Sequence, residues 1–137
     1  MPSMTEDELS EFLDRPLTTS FTTVRPDGSL HVTPIWYEYA EGRFYCMMGS
    51  DTIKARNIIR NPHVALCIAS HDEPYKYVVA EGLAEVTRDG VDEKVFSISV
   101  CYRGEERGSK FAKDILDQGR SVLVVVSPTR LLTESVT

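Results

Sequence analysis

The 137-residue sequence predicts an all-β or α+β fold in which six short antiparallel strands close into a barrel with short helices at its ends. Segments rich in β-branched and aromatic residues recur along the chain, separated by turn-forming residues. Other segments carry apolar residues at helical spacing. A hydrophobic content of 42% and a charged content of 26% are those of an ordinary globular protein, so we expect one domain spanning residues 1–137.

The first predicted elements are a helix and a strand. Thr5 and Glu8 form a capping box ahead of apolar residues at helical spacing, which predicts a helix over residues 5–14. The β-branched residues of segment 18–25 predict a strand, and the sequence Pro-Asp-Gly-Ser at 26–29 predicts a hairpin turn after it.

The return strand is predicted over residues 30–39 and contains a proline. Pro34 has no amide hydrogen, so in mid-strand it indicates a sheet edge, a bulge or a place where something other than a strand lies alongside. A ligand could be that neighbour. A second turn over residues 40–43 leads to a strand over residues 44–48, which ends where a basic helix begins.

The basic helix is predicted between residues 50 and 61. Ser50 or Asp51 can cap its start. The Asn61-Pro62 pair ends it, because a proline disfavours the helical conformation in the residue before it.

This helix has two predicted faces. Helical spacing places Ala55, Ile58 and Ile59 towards the core and Lys54, Asn57 and Arg60 on the other side. Since the start of a helix also favours negative charge, two cations and an amide there predict an anion site, with phosphate as the natural ligand. The alternative for such a cluster is the solvated face of an ordinary connecting helix.

The remaining elements alternate between strands and helices. A buried strand is predicted over residues 63–70, and a long strand over residues 75–87 is interrupted at Gly82, where we expect a bulge. The rest is predicted as a helix over 91–102, a polar loop over 104–108, a short helix over 109–117 and a closing strand over 120–127. The closing strand is apolar on both faces, so we expect it at the centre of the sheet.

Charge and composition exclude several classes of function. A net charge of −6 repels nucleic acid and anionic lipid, so we expect neither as a partner. No apolar run is long enough to cross a bilayer, and the acidic N-terminus is not a signal peptide, so we expect a cytoplasmic protein. The three cysteines, Cys46, Cys67 and Cys101, are expected to be reduced core residues, and the three histidines show no metal-binding spacing.

Four segments together resemble the pyridoxamine 5′-phosphate oxidase-like, FMN-binding split-barrel family. They are the hairpin at 24–29, the strand at 31–36, the segment from Lys54 to Pro62, and residues 74–78 with Glu81 and Gly82. The order and spacing of the four are harder to obtain by chance than any one of them. The sequence is most similar to the branch of the family that contains probable F420-dependent, that is deazaflavin-dependent, enzymes.

The resemblance implies a six-stranded split β-barrel that forms a homodimer, with FMN or coenzyme F420 bound at the interface. It implies that Ser50, Lys54 and Asn57, with Arg60 beside them, hold the phosphate. It also implies that Tyr77 approaches the cofactor of the partner. The implied wall beside the cofactor ring consists of His31, Val32, Thr33, Pro34, Ile35 and Trp36.

The sequence departs from the family pattern at two positions. Thr52 stands where many relatives carry a second basic residue, so we expect a phosphate site with one positive charge fewer. Leu30 stands where a proline often precedes the histidine.

The expected function is that of an oxidoreductase that uses F420 or FMN for hydride transfer to or from a small organic substrate. A second hypothesis is a carrier or sensor that binds the same cofactor without turning over a substrate. A third is haem binding or degradation, which lacks an identifiable axial histidine. The sequence contains no pattern that identifies a catalytic side chain, the substrate or the preferred cofactor.

Overall fold

The structure is a computed structural model that describes residues 3–136 and contains, within that range, four helices and one antiparallel sheet of seven strands. The helices are α1 (Glu6–Leu13), α2 (Ile53–Arg60), α3 (Val91–Arg103) and α4 (Glu105–Asp117). The strands are β1 (Thr19–Val24), β2 (Leu30–Ile35), β3 (Tyr37–Ala40), β4 (Arg43–Gly49), β5 (His63–Ala69), β6 (Tyr75–Thr87) and β7 (Ser121–Val136). Their order across the sheet is β2-β1-β5-β6-β7-β4-β3.

The connection between β2 and β3 shows how the sheet curls. These two strands occupy opposite ends of the sheet order, yet Trp36 is the only residue between them. The chain can step from one edge to the other in one residue only if the sheet curls round until its edges meet. The architecture is therefore a curled antiparallel sheet, consistent with a split barrel.

The predicted number of six strands is wrong, because the segment predicted as one strand over residues 30–39 changes its pairing partner. Ile35 pairs with Thr19 of β1, whereas Tyr37 pairs with Cys46 of β4. Trp36 lies at the change and belongs to neither ladder. A continuous run of strand-forming residues carries no signal for such a change, so the sequence predicted one strand where the structure has two.

The hydrophobic core fills the inside of the curled sheet. Its fully buried side chains include Phe21, Phe44, Leu66, Ile68 and Val124. Alternate residues of each strand point inwards, as the burial of β5 and β6 shows. Each such side chain stabilises the fold by about 1.5–3 kcal/mol relative to an exposed one. The helix α1 adds Phe12 and Leu13 to the same core, and its predicted capping box is present.

The predicted bulge in β6 is confirmed. The register between β6 and β7 shifts between Glu81 and Gly82. A Cβ atom at Gly82 would lie 2.4 Å from the backbone oxygen of Ser127, so only glycine allows the two strands to approach this closely.

The two helices α3 and α4 form a tightly packed pair that the sequence predicted only in part. The prediction of a polar loop over residues 104–108 is wrong, because α4 already begins at Glu105. Gly108 is buried against α3, and a Cβ atom there would lie 2.5 Å from the backbone oxygen of Ser99. The glycine that suggested a loop thus lets the helices touch.

Two other expectations about the chain need correction. β7 continues nine residues past the predicted end at residue 127 and reaches Val136, because its polar second half pairs with the first half of β6. Of the three cysteines, all free, only Cys46 is buried, whereas Cys67 and Cys101 are exposed. Within residues 3–136, no helix has the length and apolar character to cross a bilayer.

The substitution Gly108→Ala should destabilise the protein by about 1–3 kcal/mol, because the added methyl group must push α3 and α4 apart. Urea denaturation followed by circular dichroism measures this change. Ser109→Ala, at the next position of the same helix, is the matched control and should cost much less. Equal midpoints for the two variants would contradict the close packing of these helices.

Candidate functional site

A cleft of about 280 Å³ lies between β2 and β4, beyond the point where the pairing of β3 with β4 ends. It is lined by Thr18, Pro34, Ile35, Trp36, Met47, Met48, Gly49, Lys54 and Phe111. Four of these residues, namely Pro34, Ile35, Trp36 and Lys54, belong to the predicted site. The strand end at Gly49 delivers the chain to α2, as the sequence predicted, and Gly49 and Lys54 both line the cleft, so the cleft and the basic helix are neighbours.

The cleft exists because the ladder between β3 and β4 stops. Its last pair is Tyr37 with Cys46, and the residues that would pair next diverge. Met47 and Met48 continue beside β7, while Ile35 pairs with β1. Pro34, which cannot donate a backbone hydrogen bond, stands on the strand edge that faces this gap.

The position of Trp36 is set by aromatic contacts with α3 and α4. Its ring stacks on Tyr102 at a centroid distance of 5.0 Å and an interplanar angle of 12°, and lies 5.4 Å from the Phe111 ring. The Tyr102 hydroxyl donates a hydrogen bond to the Leu17 carbonyl at 2.8 Å and accepts one from the Tyr37 amide at 3.3 Å. One wall of the cleft is therefore apolar and held in place from behind.

The helix α2 begins one or two residues later than predicted. Thr52 is its N-cap, with an extended backbone and a hydroxyl that accepts the Ala55 amide at 3.3 Å. The prediction of a cap at Ser50 or Asp51 is therefore wrong. The Asp51 carboxylate instead pairs with Arg120 at 2.8 Å, which removes it from the helix start.

Among the residues that the structure describes, Lys54 is the one charged residue that lines the cleft. Its side chain is half-buried, and burial lowers the pKa of its ammonium below the ordinary value of 10.5. Within residues 3–136, no carboxylate forms an ion pair with it. A half-buried cation without a counterion favours an anionic ligand.

The predicted division of α2 into two faces is wrong for two residues. Asn57 is buried rather than exposed, and its amide donates to the Thr23 hydroxyl at 3.0 Å. Ile59, expected in the core, is 73% exposed. Arg60 donates to the Val24 carbonyl and lies 3.4 Å from the Asn57 amide oxygen. Asn57 and Arg60 therefore tie α2 to β1, and Lys54 alone of the three lines the cleft.

The residues of the predicted wall from His31 to Trp36 do not all face the same side, because successive residues of β2 point to opposite sides of the sheet. His31 and Thr33 pair with the inward-facing Thr23 and Phe21, so they point to the inside of the sheet. Val32 points outwards with Pro34 and is 59% exposed. None of His31, Val32 and Thr33 lines the cleft. The His31 Nδ1 and Thr33 Oγ1 atoms are buried without a hydrogen-bond partner among the described residues.

Two further predicted site residues also lie outside the cleft. Ser50 is in the turn before α2, where its amide donates to the Arg120 carbonyl at 2.7 Å. Tyr77 is on β6, with β5 and β1 between it and β2, and its hydroxyl donates to Glu134 at 2.6 Å. Tyr77 therefore does not line the cleft of its own chain.

Five lining residues were missed by the sequence analysis: Thr18, Met47, Met48, Gly49 and Phe111. Met47, Met48 and Gly49 end the strand that leads to the basic helix, and that position was the available signal for them. Thr18 and Phe111 come from distant parts of the chain, and no local pattern connects them with the helix.

The comparisons with known proteins agree with this architecture. Residues 5–132 match the family model described as pyridoxamine 5′-phosphate oxidase. No curated protein matches the chain.

Solved structures with the same fold include three with nearly full coverage. An F420 reductase is 27% identical, with a TM-score of 0.74 over 96% of this chain and 98% of its own. A conserved hypothetical protein of Mycobacterium tuberculosis is 25% identical, with a TM-score of 0.77 over 96% of this chain and 85% of its own. A FAD-binding protein of Mesorhizobium loti is 17% identical, with a TM-score of 0.71 over 99% and 98% of the two chains, and shows the fold alone.

Lys54→Met should raise the melting temperature of the protein without ligand, because it replaces a half-buried ammonium with an apolar side chain of similar length. Since the folded state lowers the pKa of Lys54, the wild type gains stability as the pH rises towards 10.5. The advantage of the variant should therefore be largest near neutral pH and shrink above it. Thermal melts from pH 7 to 10.5 test this, with the exposed Lys110→Met as control. If Lys54→Met lowered the melting temperature and Lys110→Met did not, the expected cost of the half-buried ammonium would be contradicted.

Proposed function

Because the chain belongs to the pyridoxamine 5′-phosphate oxidase family, we propose that it is an oxidoreductase that binds FMN or the deazaflavin F420 in the cleft between β2 and β4. The observation that carries the proposal is Lys54, a half-buried cation without a carboxylate partner in the described chain, at one end of an apolar cleft. The name of the F420 reductase, a structure with this fold and 27% identity to the chain, supports this class of cofactor.

The lining of the cleft fits the chemical character of such a cofactor. Trp36, Met47, Met48 and Phe111 offer flat or adaptable apolar surface suited to a tricyclic ring. Lys54 offers one positive charge for a phosphate. A charged group and an apolar surface side by side match a ligand with an anionic end and a flat apolar end.

In this proposal, the protein contributes orientation, shielding and charge, and the bound cofactor supplies hydride chemistry. Apart from Lys54, the described side chains that line the cleft carry no acidic or basic group. Trp36 and Phe111 exclude water from one side, and the backbone of β2 borders another. The residues of this chain thus position the reactants, and a few side chains are enough for that task.

The cleft opens onto an exposed face of the sheet that we propose is covered by a second copy of the chain. Residues that pair across neighbouring strands point to the same side. One such outward row consists of Pro34, Ser20, Cys67, Val79 and Leu132. Only Val79 of this row is partly covered, and the row carries no charge. An uncharged, exposed strip of this kind is typical of a surface that binds another protein.

Pro34 belongs to both this row and the cleft, so a partner on the row also closes the cleft. The proposed dimer therefore completes the binding site. It also accounts for the position of Tyr77, which is remote from the cleft of its own chain and lies on the same outward side of β6 as Val79. A partner's Tyr77 would border the cofactor.

Lys54→Met should weaken binding of FMN and F420 by about 1–3 kcal/mol, or about fivefold to 150-fold, through loss of a charge-assisted contact. Fluorescence titration measures the dissociation constants. The same substitution is expected to stabilise the free protein, so a loss of affinity cannot be attributed to unfolding. Lys110→Met is the control, and unchanged affinity in Lys54→Met would place the phosphate elsewhere.

The catalytic part of the proposal has a separate test. Reduced cofactor supplied with a panel of quinones and activated alkenes should be oxidised at a rate that depends on the protein, measured by absorbance. Tight binding without turnover over the panel would favour the carrier or sensor hypothesis instead.

Leu132→Glu should convert the proposed dimer into a monomer, because it places a charge in the uncharged outward row. Light scattering measures the mass. Cofactor affinity should fall as well, although Leu132 does not line the cleft, because the partner no longer closes it.

Phe96→Glu is the matched control, since Phe96 is also an exposed apolar residue but lies on α3. It should leave both mass and affinity unchanged. A wild-type monomer, or a dimer that survives Leu132→Glu, would contradict the proposed interface.

A further inference from the structure

A second cavity, of about 330 Å³, adjoins the cleft at the start of α2. Gly49 lines both cavities. The second one continues past the helix cap, between Asp51 and Thr52 on one side and Ile115 and Gln118 at the end of α4 on the other. A ligand whose anionic group lies at Lys54 therefore has a second compartment beyond that group.

The turn before α2 lies between the two cavities and fixes their relative position. Gly49 pairs with Ser121, and the Ser50 amide donates to the Arg120 carbonyl at 2.7 Å. The turn is thus attached to the start of β7. This attachment places Lys54 in the first cavity and Arg120 in the second.

Arg120 is held in the second cavity by two side chains. Its guanidinium donates to the Asp51 carboxylate at 2.8 Å and to the Gln118 side-chain oxygen at 2.7 Å. Arg120 and Asp51 are 57% and 58% exposed, and an ion pair in such a setting contributes little to the stability of the fold. A carboxylate or phosphate ligand could therefore replace Asp51 at little cost, and it would meet a guanidinium already in position.

We propose that the second cavity binds the carboxylate-bearing tail by which a deazaflavin cofactor extends beyond its phosphate, with Arg120 as the residue that selects for that tail. The inference rests on the proposed function, whose site it extends. FMN ends at its phosphate and leaves this cavity empty. The chain should consequently prefer a cofactor with an acidic tail over FMN.

A merely structural role for Arg120 predicts different behaviour. If Arg120 serves only to hold the turn at residues 50–52, then removing either member of its ion pair should weaken all cofactors alike. If Arg120 binds the tail, Asp51 competes with the tail for the guanidinium. Arg120→Gln and Asp51→Asn should then act in opposite directions, and only on cofactors with a tail.

The experiment is a fluorescence titration of the wild-type chain, Arg120→Gln and Asp51→Asn with three probes. They are F420 with several glutamates, the same deazaflavin without glutamates, and FMN. Arg120→Gln should weaken binding of the first probe about fivefold to tenfold and leave the other two within about twofold. Asp51→Asn should strengthen binding of the first probe alone, and both effects should diminish as salt is raised.

The outcomes separate this inference from the function on which it rests. If the wild type binds none of the three probes, the proposed function fails, and the tail site fails with it. If all three bind and Arg120→Gln changes their affinities equally or not at all, the cofactor site stands and the tail site is refuted. Thermal melts of the free variants identify any loss of affinity that comes from unfolding.

Discussion

The change of pairing partner at Trp36 is the constraint on which the rest of this structure depends. A single residue joins the two edges of the sheet, so the sheet must curl, and the strands on either side of that residue must diverge. The divergence opens the cleft. The Tyr37 amide beside the change is bonded to the Tyr102 hydroxyl rather than to a strand, and Trp36 stacks on the same tyrosine. Helix α3 thus supports both the break in the sheet and the wall of the cleft.

Lys54 determines the electrostatics of the cleft, because the neighbouring charged and polar groups are bonded elsewhere. Asn57 and Arg60 lie on the same helix as Lys54, but they donate hydrogen bonds to Thr23 and Val24 of β1. Asp51 is bonded to Arg120. Lys54 is consequently left in the cleft with a lowered pKa and no carboxylate partner in the described part of the chain, a position that costs stability in the free protein and favours an anionic ligand.

The outer face of the sheet connects assembly with binding in the proposed function. Pro34 borders the cleft and also belongs to the uncharged outward row that ends at Leu132. A second copy seated on that row closes the site from outside. The compartment beside Arg120 extends the site in the other direction, past the start of α2. Three adjoining parts of the surface would then determine which class of cofactor binds, how long a cofactor fits and how the chain assembles.

Local patterns in the sequence were sufficient for the capping box of α1, the bulge at Gly82 and the approach of a strand end to a basic helix, because each depends on residues close together in the chain. The resemblance identified the family. The break at Trp36, the burial of Asn57, the exposure of Ile59 and the contribution of Phe111 to the cleft depend on contacts between distant segments. Periodicity describes which residues share a face of an element, but only packing determines what lies opposite that face.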